Sequence, residues 1–246
     1  MRKVVNTYFD TIDNPNKAYW LGFLWCDGYI WHRQRGNGNE YGMKLDLMKS
    51  DSELLYRLKE DIGIHTSIKF YGKYASSFGG NGVSRCSYYN KHLVSVLMNK
   101  YGIVPNRTDV SPLLNNLPKE YEKDFIRGCL DADGSFCIYH TMDNGHDIIK
   151  ICVSFGGTEI LLKFIWEHLK TNNLTANEEM PKINRRHEDR DGIFRELKLC
   201  GRLQGYNILH YLYEGADRYL PRKYDKYIAI KEEIGEYVES QCKHNI

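Results

Sequence analysis

The feature that most constrains the fold of this chain is an internal repeat. Gly22 is followed, after four residues, by an Asp-Gly pair at 27–28, and Gly128 is followed, after four residues, by a second Asp-Gly pair at 133–134. A chain of 246 residues with average composition contains about 0.06 such matches by chance. Two copies, 106 residues apart, therefore indicate duplication of one structural unit.

The same spacing continues beyond the motif. Residues 44–58, KLDLMKSDSELLYRL, align with residues 150–164, KICVSFGGTEILLKF, at the offset of 106. Near the end of each half, the segments YGIVPNRTD and DRYLPRKYDK align at an offset of 116, so ten extra residues lie in the second half. We therefore expect two repeats, residues 1–112 and residues 113–246, the second with a C-terminal helix.

The sequence patterns of the two halves predict the same order of secondary-structure elements, α-β-β-α-β-β-α. The first helix begins near Pro15 or Pro118, because proline suits the first helical position. It ends at Gly28 or Gly134, because glycine tolerates a left-handed C-terminal cap. Alternating and amphipathic patterns give the other elements. The predicted strands are 29–33, 40–49, 66–74 and 83–89, then 135–141, 147–155, 182–186 and 193–200; the other predicted helices are 52–62, 91–101, 158–169, 203–213 and 222–239.

Composition narrows the class of protein. With 42% hydrophobic and 27% charged residues, the chain is globular rather than disordered or fibrous. The net charge of +2 does not single out a nucleic-acid binder, so a basic surface must arise from segregation of charge. The 7 cysteines include no C-x-x-C pair and predict neither a disulfide framework nor a zinc knuckle, which fits an intracellular, non-secreted protein. No stretch is apolar enough to span a membrane.

The repeated motif places a carboxylate where helix stability alone would not. Asp27 and Asp133 end their helices at the negative end of the helix dipole, although Asp-Gly is also an ordinary turn after a helix. Duplication brings equivalent helix ends together, and two converging carboxylates call for a divalent cation such as Mg²⁺. Gly22 and Gly128 each cost about 1 kcal/mol relative to alanine within a helix, and close approach of two helices at this interface would compensate.

The segments WLGFLWCDG and FIRGCLDADG resemble the two motif copies of a LAGLIDADG homing endonuclease in its monomeric, two-repeat form. The second copy keeps residues 130–134 almost letter for letter, while the first departs from the pattern at Trp25 and Cys26. The resemblance covers nearly the whole chain. It implies an α+β fold of two pseudo-twofold related repeats, whose antiparallel sheets form a DNA-binding saddle in front of the helices.

The resemblance also implies metal ligands. In that family the last aspartate of each motif binds the catalytic metals, which here are Asp27 and Asp133. The residues before them, Cys26 and Ala132, would contribute backbone carbonyl groups. The implied cofactor is Mg²⁺, with Mn²⁺ able to substitute.

Three cations are expected near the metals, where family enzymes position water and screen the phosphate. They are Lys49, Arg107 and Lys223; Arg107 and Lys223 have an alternative role as ordinary surface cations. The repeat counterpart of Lys49 is Phe155, so the two half-sites are expected to be unequal and the DNA target non-palindromic.

Period-2 alternation predicts which strand residues face the DNA. Leu45 and Leu47 should pack on the helices, and their neighbours should point outwards. The predicted DNA-facing residues are Trp31, Arg33, Arg35, Lys44, Asp46, Lys69, Tyr71 and Lys73 in the first half, and Ser135, Cys137, Tyr139, Lys150, Lys182, Asn184 and Arg186 in the second. Two such sheets end to end would span about 20 base pairs.

The expected function is a site-specific endonuclease that makes a double-strand break at a long target by Mg²⁺-dependent phosphodiester hydrolysis. Its expected partners are double-stranded DNA and, secondarily, host intron RNA, with no membrane, and the protein should be a monomer. Three alternatives stay open: an RNA maturase, a non-cleaving DNA-binding regulator and the nuclease insert of an intein. The presence of Met1 and the lack of flanking splicing blocks favour a free-standing or intron-encoded protein. The 9 scattered histidines do not support a His-based nuclease.

Overall fold

The structure is a computed structural model that describes residues 7–36, 38–72, 82–105, 114–143, 145–185 and 194–243. It divides into two compact units, Met1–Ala132 and Asp133–Ile246. The first unit includes nearly all of a helix that the sequence assigns to the second repeat, because that helix packs against the first helix of the chain. The repeat boundary at 112/113 describes the duplication and stays a prediction.

In its described residues, the first unit contains one antiparallel sheet and four α-helices. The strands pair in the order β1-β2-β4-β3. The strands are β1 (Tyr29–Arg35), β2 (Gly38–Met48), β3 (Lys69–Tyr71) and β4 (Val83–Tyr89), and the helices are α1 (Pro15–Cys26), α2 (Ser52–Ile62), α3 (Lys91–Tyr101) and α4 (Glu122–Asp133). Strand β3 covers three residues of the predicted 66–74, of which 73 and 74 lie outside the described residues. Before the strand, the Thr66 hydroxyl donates to the Ser87 carbonyl oxygen, at 2.7 Å.

The second unit repeats this arrangement with a sheet of order β5-β6-β8-β7. The strands are β5 (Ser135–Asp143), β6 (His146–Gly157), β7 (Asn184–Arg185) and β8 (Arg195–Cys200), and the helices are α5 (Glu159–Thr171), α6 (Arg202–Tyr213) and α7 (Pro221–Lys243). The chain order is α-β-β-α-β-β-α twice, followed by a closing helix. This confirms the predicted α+β class. None of the helices in the described ranges has the length and apolar character of a membrane span.

Alternating burial along the strands separates a core face from an outer face in each sheet. In β2, Met43, Leu45 and Leu47 are buried, while Lys44 and Asp46 are only half-buried. In the second unit the buried side chains of the core face include Phe136, Ile149, Ile151, Val153, Phe155, Leu197 and Leu199, and β6 is the exception to the alternation, because every residue from 151 to 157 is buried. The helices cover these apolar faces, and the opposite faces carry the polar and aromatic residues.

Helix α1 begins and ends for local reasons. Asn14 caps its start by accepting a hydrogen bond from the Lys17 backbone N–H, at 3.1 Å. The predicted left-handed cap is wrong, because Gly28 and Gly134 both lack a positive φ. Gly28 is required for space instead: a Cβ there would lie 2.6 Å from the Leu24 carbonyl oxygen.

Helices α1 and α4 pack with their backbones in contact. A Cβ on Gly22 would lie 2.0 Å from the Phe125 carbonyl oxygen, and one on Gly128 would lie 2.2 Å from the Tyr19 carbonyl oxygen. The Cys129 thiol also reaches the Gly22 carbonyl oxygen, at 3.6 Å. No side chain fits at either glycine, so this helix pair depends on both.

Candidate nucleic-acid interface and acidic helix ends

The outer face of the first sheet is rich in arginine, lysine and aromatic side chains. The strand registers place Lys69, Arg85 and Asp46 in one row across β3, β4 and β2, and place Tyr29 opposite Lys44. The residues expected on this face that the structure describes are Trp31, Arg33, Arg35, Lys44, Asp46, Lys69 and Tyr71, and all are exposed or half-buried. Lys73 lies outside the described residues.

Arg85 is held in place on this face by Asp46 and Tyr71. Its Nε and Nη2 donate to the two carboxylate oxygens of Asp46, both at 2.6 Å, and its guanidinium lies 4.9 Å from the centre of the Tyr71 ring. The hydrogen bonds that Arg85 donates to Asp46 raise the pKa of its guanidinium group. Two of the five guanidinium N–H donors bond to Asp46, and the others are left for Tyr71 and for a further acceptor.

A second cluster forms around Glu40 at the hairpin end of the face. The Trp31 indole N–H donates to Glu40 at 2.9 Å, and Arg33 and Arg35 pair with the same carboxylate at 2.6 and 3.0 Å. The hydrogen bond from Trp31, followed by those from the two arginines, lowers the pKa of Glu40. The Trp31 ring lies over Gly42, where a Cβ would approach it to 2.2 Å.

Sequence reasoning missed three residues of this face on β4. Arg85, Ser87 and Tyr89 point outwards, and two clefts on the face share all three in their walls. Tyr89 is 57% exposed and stands edge-on to Trp31 at 5.4 Å. The period-2 rule would have found them, because the intervening residues 84, 86 and 88 are buried.

Among the described residues, the outer face of the second sheet carries fewer arginine and lysine side chains than that of the first. Ser135, Cys137, Tyr139, Lys150, Lys182 and Asn184 are all exposed. Lys198, which sequence reasoning missed, is also exposed and lies opposite Ser154. Arg186 lies outside the described residues.

A disulfide that the cysteine pattern did not predict joins Cys152 of β6 to Cys200 of β8. The two residues are direct register partners, so their side chains share the outer face. The odd cysteine count and the lack of a C-x-x-C pair carry no information about neighbours across strands. The signal was the position of each cysteine on a predicted strand.

The two motif aspartates belong to different units. Asp27 is the exposed C-cap of α1, with Cys26 half-buried before it. Asp133 is the last residue of α4 and is half-buried, as is Ala132. Among the described residues no three His, Cys, Asp or Glu side chains form a group that could hold a metal ion.

The expected cations have different surroundings. Lys223 is 6% exposed, and its ammonium donates to the carbonyl oxygen of Gly134, at 2.7 Å, directly after Asp133. Lys49 is exposed at the start of the short 3-10 helix Lys49–Asp51, whereas its repeat counterpart Phe155 is buried in β6. Arg107 lies outside the described residues.

A buried polar network under the first motif was also missed. The Tyr19 hydroxyl donates to Asp131 at 3.0 Å, and Arg127 pairs with Asp124 at 2.8 Å beneath the Tyr19 ring. Burial and then the charge of Asp131 raise the pKa of Tyr19 well above its usual value. These residues connect α1 to α4.

The fold of both units is that of the LAGLIDADG homing endonucleases, which confirms the expected resemblance at the level of the fold. The solved structure of I-LtrWI bound to target DNA matches with a TM-score of 0.60 at 11% identity, over 96% of this chain and 92% of that one. I-AabMI bound to uncleaved DNA matches with 0.61 at 11%, over 93% and 92%. I-CpaMI, also bound to uncleaved DNA, matches with 0.57 at 13%, over 94% and 93%. No protein-family model and no curated protein matches the sequence.

Proposed function

We propose that this protein is a site-specific DNA endonuclease of the homing type, which cuts both strands of a long, asymmetric duplex by Mg²⁺-dependent phosphodiester hydrolysis. The observation that carries the proposal is that the fold retains an aspartate at the end of each motif helix, while an adjoining sheet carries a cationic and aromatic outer face. The structural neighbours I-LtrWI, I-AabMI and I-CpaMI are complexes with DNA.

The donor atoms at the two helix ends suit Mg²⁺. Asp27 and Asp133 offer carboxylate oxygens, and Cys26 and Ala132 offer backbone carbonyl oxygens, all of them hard ligands. Because Mg²⁺ usually keeps several waters and binds substrate phosphate, these groups would fill the remaining positions. When bound, Mg²⁺ or a substituting Mn²⁺ would activate water and stabilise the leaving oxygen.

The other residues of the chain position and screen the reacting groups. Lys223 is held beside Asp133 by its bond to the Gly134 carbonyl oxygen, so its positive charge is fixed near the position proposed for the phosphate. Lys49 brings an exposed cation to the end of β2, and Phe155 cannot do the same in the second half. Unequal halves favour a non-palindromic target and unequal cleavage of the two strands.

The sheet faces would supply the affinity and the sequence preference. Cations release counterions on binding phosphates, and the segregation of arginine and lysine on the first sheet makes such contacts available despite the net charge of +2. The guanidinium N–H donors of Arg85 that Asp46 does not use match the O6 and N7 acceptors of guanine. Because one chain carries both motif aspartates, we propose that it acts as a monomer inside the cell.

The proposal is tested by selecting cleavable sites from a randomised duplex library with purified protein in Mg²⁺. We expect enrichment of one long, asymmetric site, with breaks in both strands that EDTA abolishes. The Asp27→Asn/Asp133→Asn double variant should enrich the same site by binding and leave it uncut. Enrichment by binding without breaks in the wild-type protein would contradict an endonuclease and favour a DNA-binding regulator. If no duplex were enriched, the DNA function itself would be wrong.

A further inference from the structure

Three cysteines form one row across the outer face of the second sheet. Cys137 of β5 is the register partner of Cys152 of β6, and Cys152 is the register partner of Cys200 of β8. Directly opposite residues of antiparallel strands point to the same face, with strands about 4.8 Å apart. Cys152 and Cys200 are joined by a disulfide, and Cys137 is a free, exposed thiol beside it.

We infer that this row is a thiol–disulfide exchange site, in which the cross-link moves between Cys152–Cys200 and Cys137–Cys152. The Cys137 thiol loses its proton, and the thiolate attacks Sγ of Cys152. The new S–S bond forms as the Cys152–Cys200 bond breaks, and the electron pair leaves on Sγ of Cys200, which takes up a proton. One disulfide and one thiol are present before and after the step, so no oxidant or reductant is needed.

The arrangement suits this reaction for two reasons. Exchange proceeds by attack of a thiolate on a disulfide sulfur, and the attacking, central and leaving sulfur atoms need to lie close to a line. A row perpendicular to three neighbouring strands provides that order, with Cys152 in the middle. The leaving Cys200 is exposed, so water stabilises the thiolate that it becomes.

The burial of Cys152 makes Cys137, rather than a thiol from solution, the preferred attacker of its sulfur atom. Cys152 is only 3% exposed, and the Tyr139 hydroxyl lies over its sulfur, at 3.7 Å. A small thiol from solution therefore has poor access to Cys152, whereas Cys137 on the next strand is its immediate neighbour. The exchange moves the exposed free thiol from β5 to β8, and with it the position open to modification by a small disulfide such as oxidised glutathione.

The test maps disulfides in protein equilibrated with a mixture of reduced and oxidised glutathione. Acid stops the exchange, free thiols are alkylated, and unreduced tryptic peptides are identified by mass. Cys152 lies in peptide 151–163, Cys200 in 199–202 and Cys137 in 128–150. Because peptide 128–150 also contains Cys129, fragment ions are needed to assign its cross-link.

The wild-type protein should give both cross-linked pairs of peptides. Cys200→Ser should retain only the pair that joins 128–150 to 151–163 through Cys137, with oxidised glutathione as the oxidant. Cys137→Ser should retain only the pair that joins 151–163 to 199–202. The control Cys86→Ser changes a buried cysteine of the first sheet and should leave the wild-type pattern unchanged.

Two results would overturn the inference. One is a wild-type protein with the Cys152–Cys200 link alone, together with a Cys200→Ser variant in which Cys152 stays unlinked. The other is a wild-type protein without any cross-link at Cys152 in the oxidising mixture. The measurement contains no DNA, so its outcome is independent of the proposed endonuclease function.

Discussion

Tyr19 and Tyr101 both bury their hydroxyl groups, but the two hydroxyl groups differ in their hydrogen bonding. The Tyr19 hydroxyl donates to Asp131, which is 1% exposed, while the Tyr101 hydroxyl is buried without a hydrogen-bond partner. Tyr19→Phe should lower the free energy of unfolding by about 1.5–3 kcal/mol, because it removes a bond to a charged group. Tyr101→Phe should be neutral or stabilising. Urea unfolding of the two variants measures the difference, and equal losses would contradict the network.

The raised pKa values of the same two tyrosines predict that the folded state loses stability at high pH. Burial and the charge of Asp131 raise the pKa of Tyr19, and burial raises the pKa of Tyr101 to about 12. Below the usual tyrosine pKa of about 10, both hydroxyls are protonated in the folded and unfolded states. Above it, the unfolded chain releases protons that the folded chain retains, so the free energy of unfolding falls as pH rises.

This fall should be shallower in Tyr19→Phe than in the wild-type protein. Urea unfolding between about pH 8 and pH 11 measures both slopes. An identical slope in the variant would show that Tyr19 does not contribute.

Arg85 should read one base pair of the DNA target. Asp46 fixes one edge of its guanidinium with two bonds of 2.6 Å, and a bidentate arginine–guanine pair gives about 1–3 kcal/mol of discrimination. Arg85→Lys keeps the charge and removes the fork. Site selection with this variant should therefore relax the preference at one position and leave the others unchanged.

The matched control for that experiment is Arg57→Lys. Arg57 pairs with Glu53 on α2, at 2.6 Å, away from the outer face of the sheet. The control should reproduce the wild-type preferences at every position. A variant of Arg85 that did the same would show that its pairing with Asp46 serves the fold alone.

At the scale of secondary-structure elements, α1 and α4 pack closely only because Gly22 and Gly128 have no side chain. Gly22→Ala would place a Cβ 2.0 Å from a backbone oxygen, and such overpacking costs about 1–3 kcal/mol. Gly38→Ala is the matched control, since a Cβ there meets no atom within 4 Å. Thermal unfolding should show a lower Tm only for Gly22→Ala. An unchanged Tm would mean that the helices separate without cost.

Much of the element order could be predicted because its signals are local. The duplicated motif gave the two halves, the amphipathic period gave α2, and the alternation in β2 separated Leu45 from Lys44. Helix ends were less predictable: α2 and α3 end at left-handed glycines, Gly63 and Gly102, whereas α1 does not. An Asp-Gly sequence is compatible with either ending.

The features that sequence reasoning missed depend on contacts between distant residues. The bond from Tyr19 to Asp131 joins positions in different repeats, and the link from Cys152 to Cys200 depends on the register of β6 against β8. Neither appears in a local pattern. The exposure of Arg85 was within reach of the alternation rule, because β4 itself was predicted with its correct bounds.

At the scale of the whole molecule, the sheets and the helix ends have different proposed roles. The outer faces of the sheets are proposed to bind DNA, and the two motif aspartates are proposed to support its cleavage. Changes at the aspartates should therefore affect the rate of cleavage far more than the affinity. A carboxylate replaced by an amide keeps its size and loses its charge, which makes asparagine the suitable substitution.

The most direct measurement is the single-turnover cleavage rate, together with the Kd, of Asp27→Asn and Asp133→Asn on a selected duplex in Mg²⁺. The control is Asp13→Asn, a surface aspartate that pairs with Lys17 at 3.1 Å. We predict that each motif variant cuts at least about 100-fold more slowly, as expected when charge stabilisation at a reacting centre is lost. Their Kd should stay within about tenfold of wild type, or about 1.4 kcal/mol. Cleavage at the wild-type rate by either motif variant would contradict the central claim.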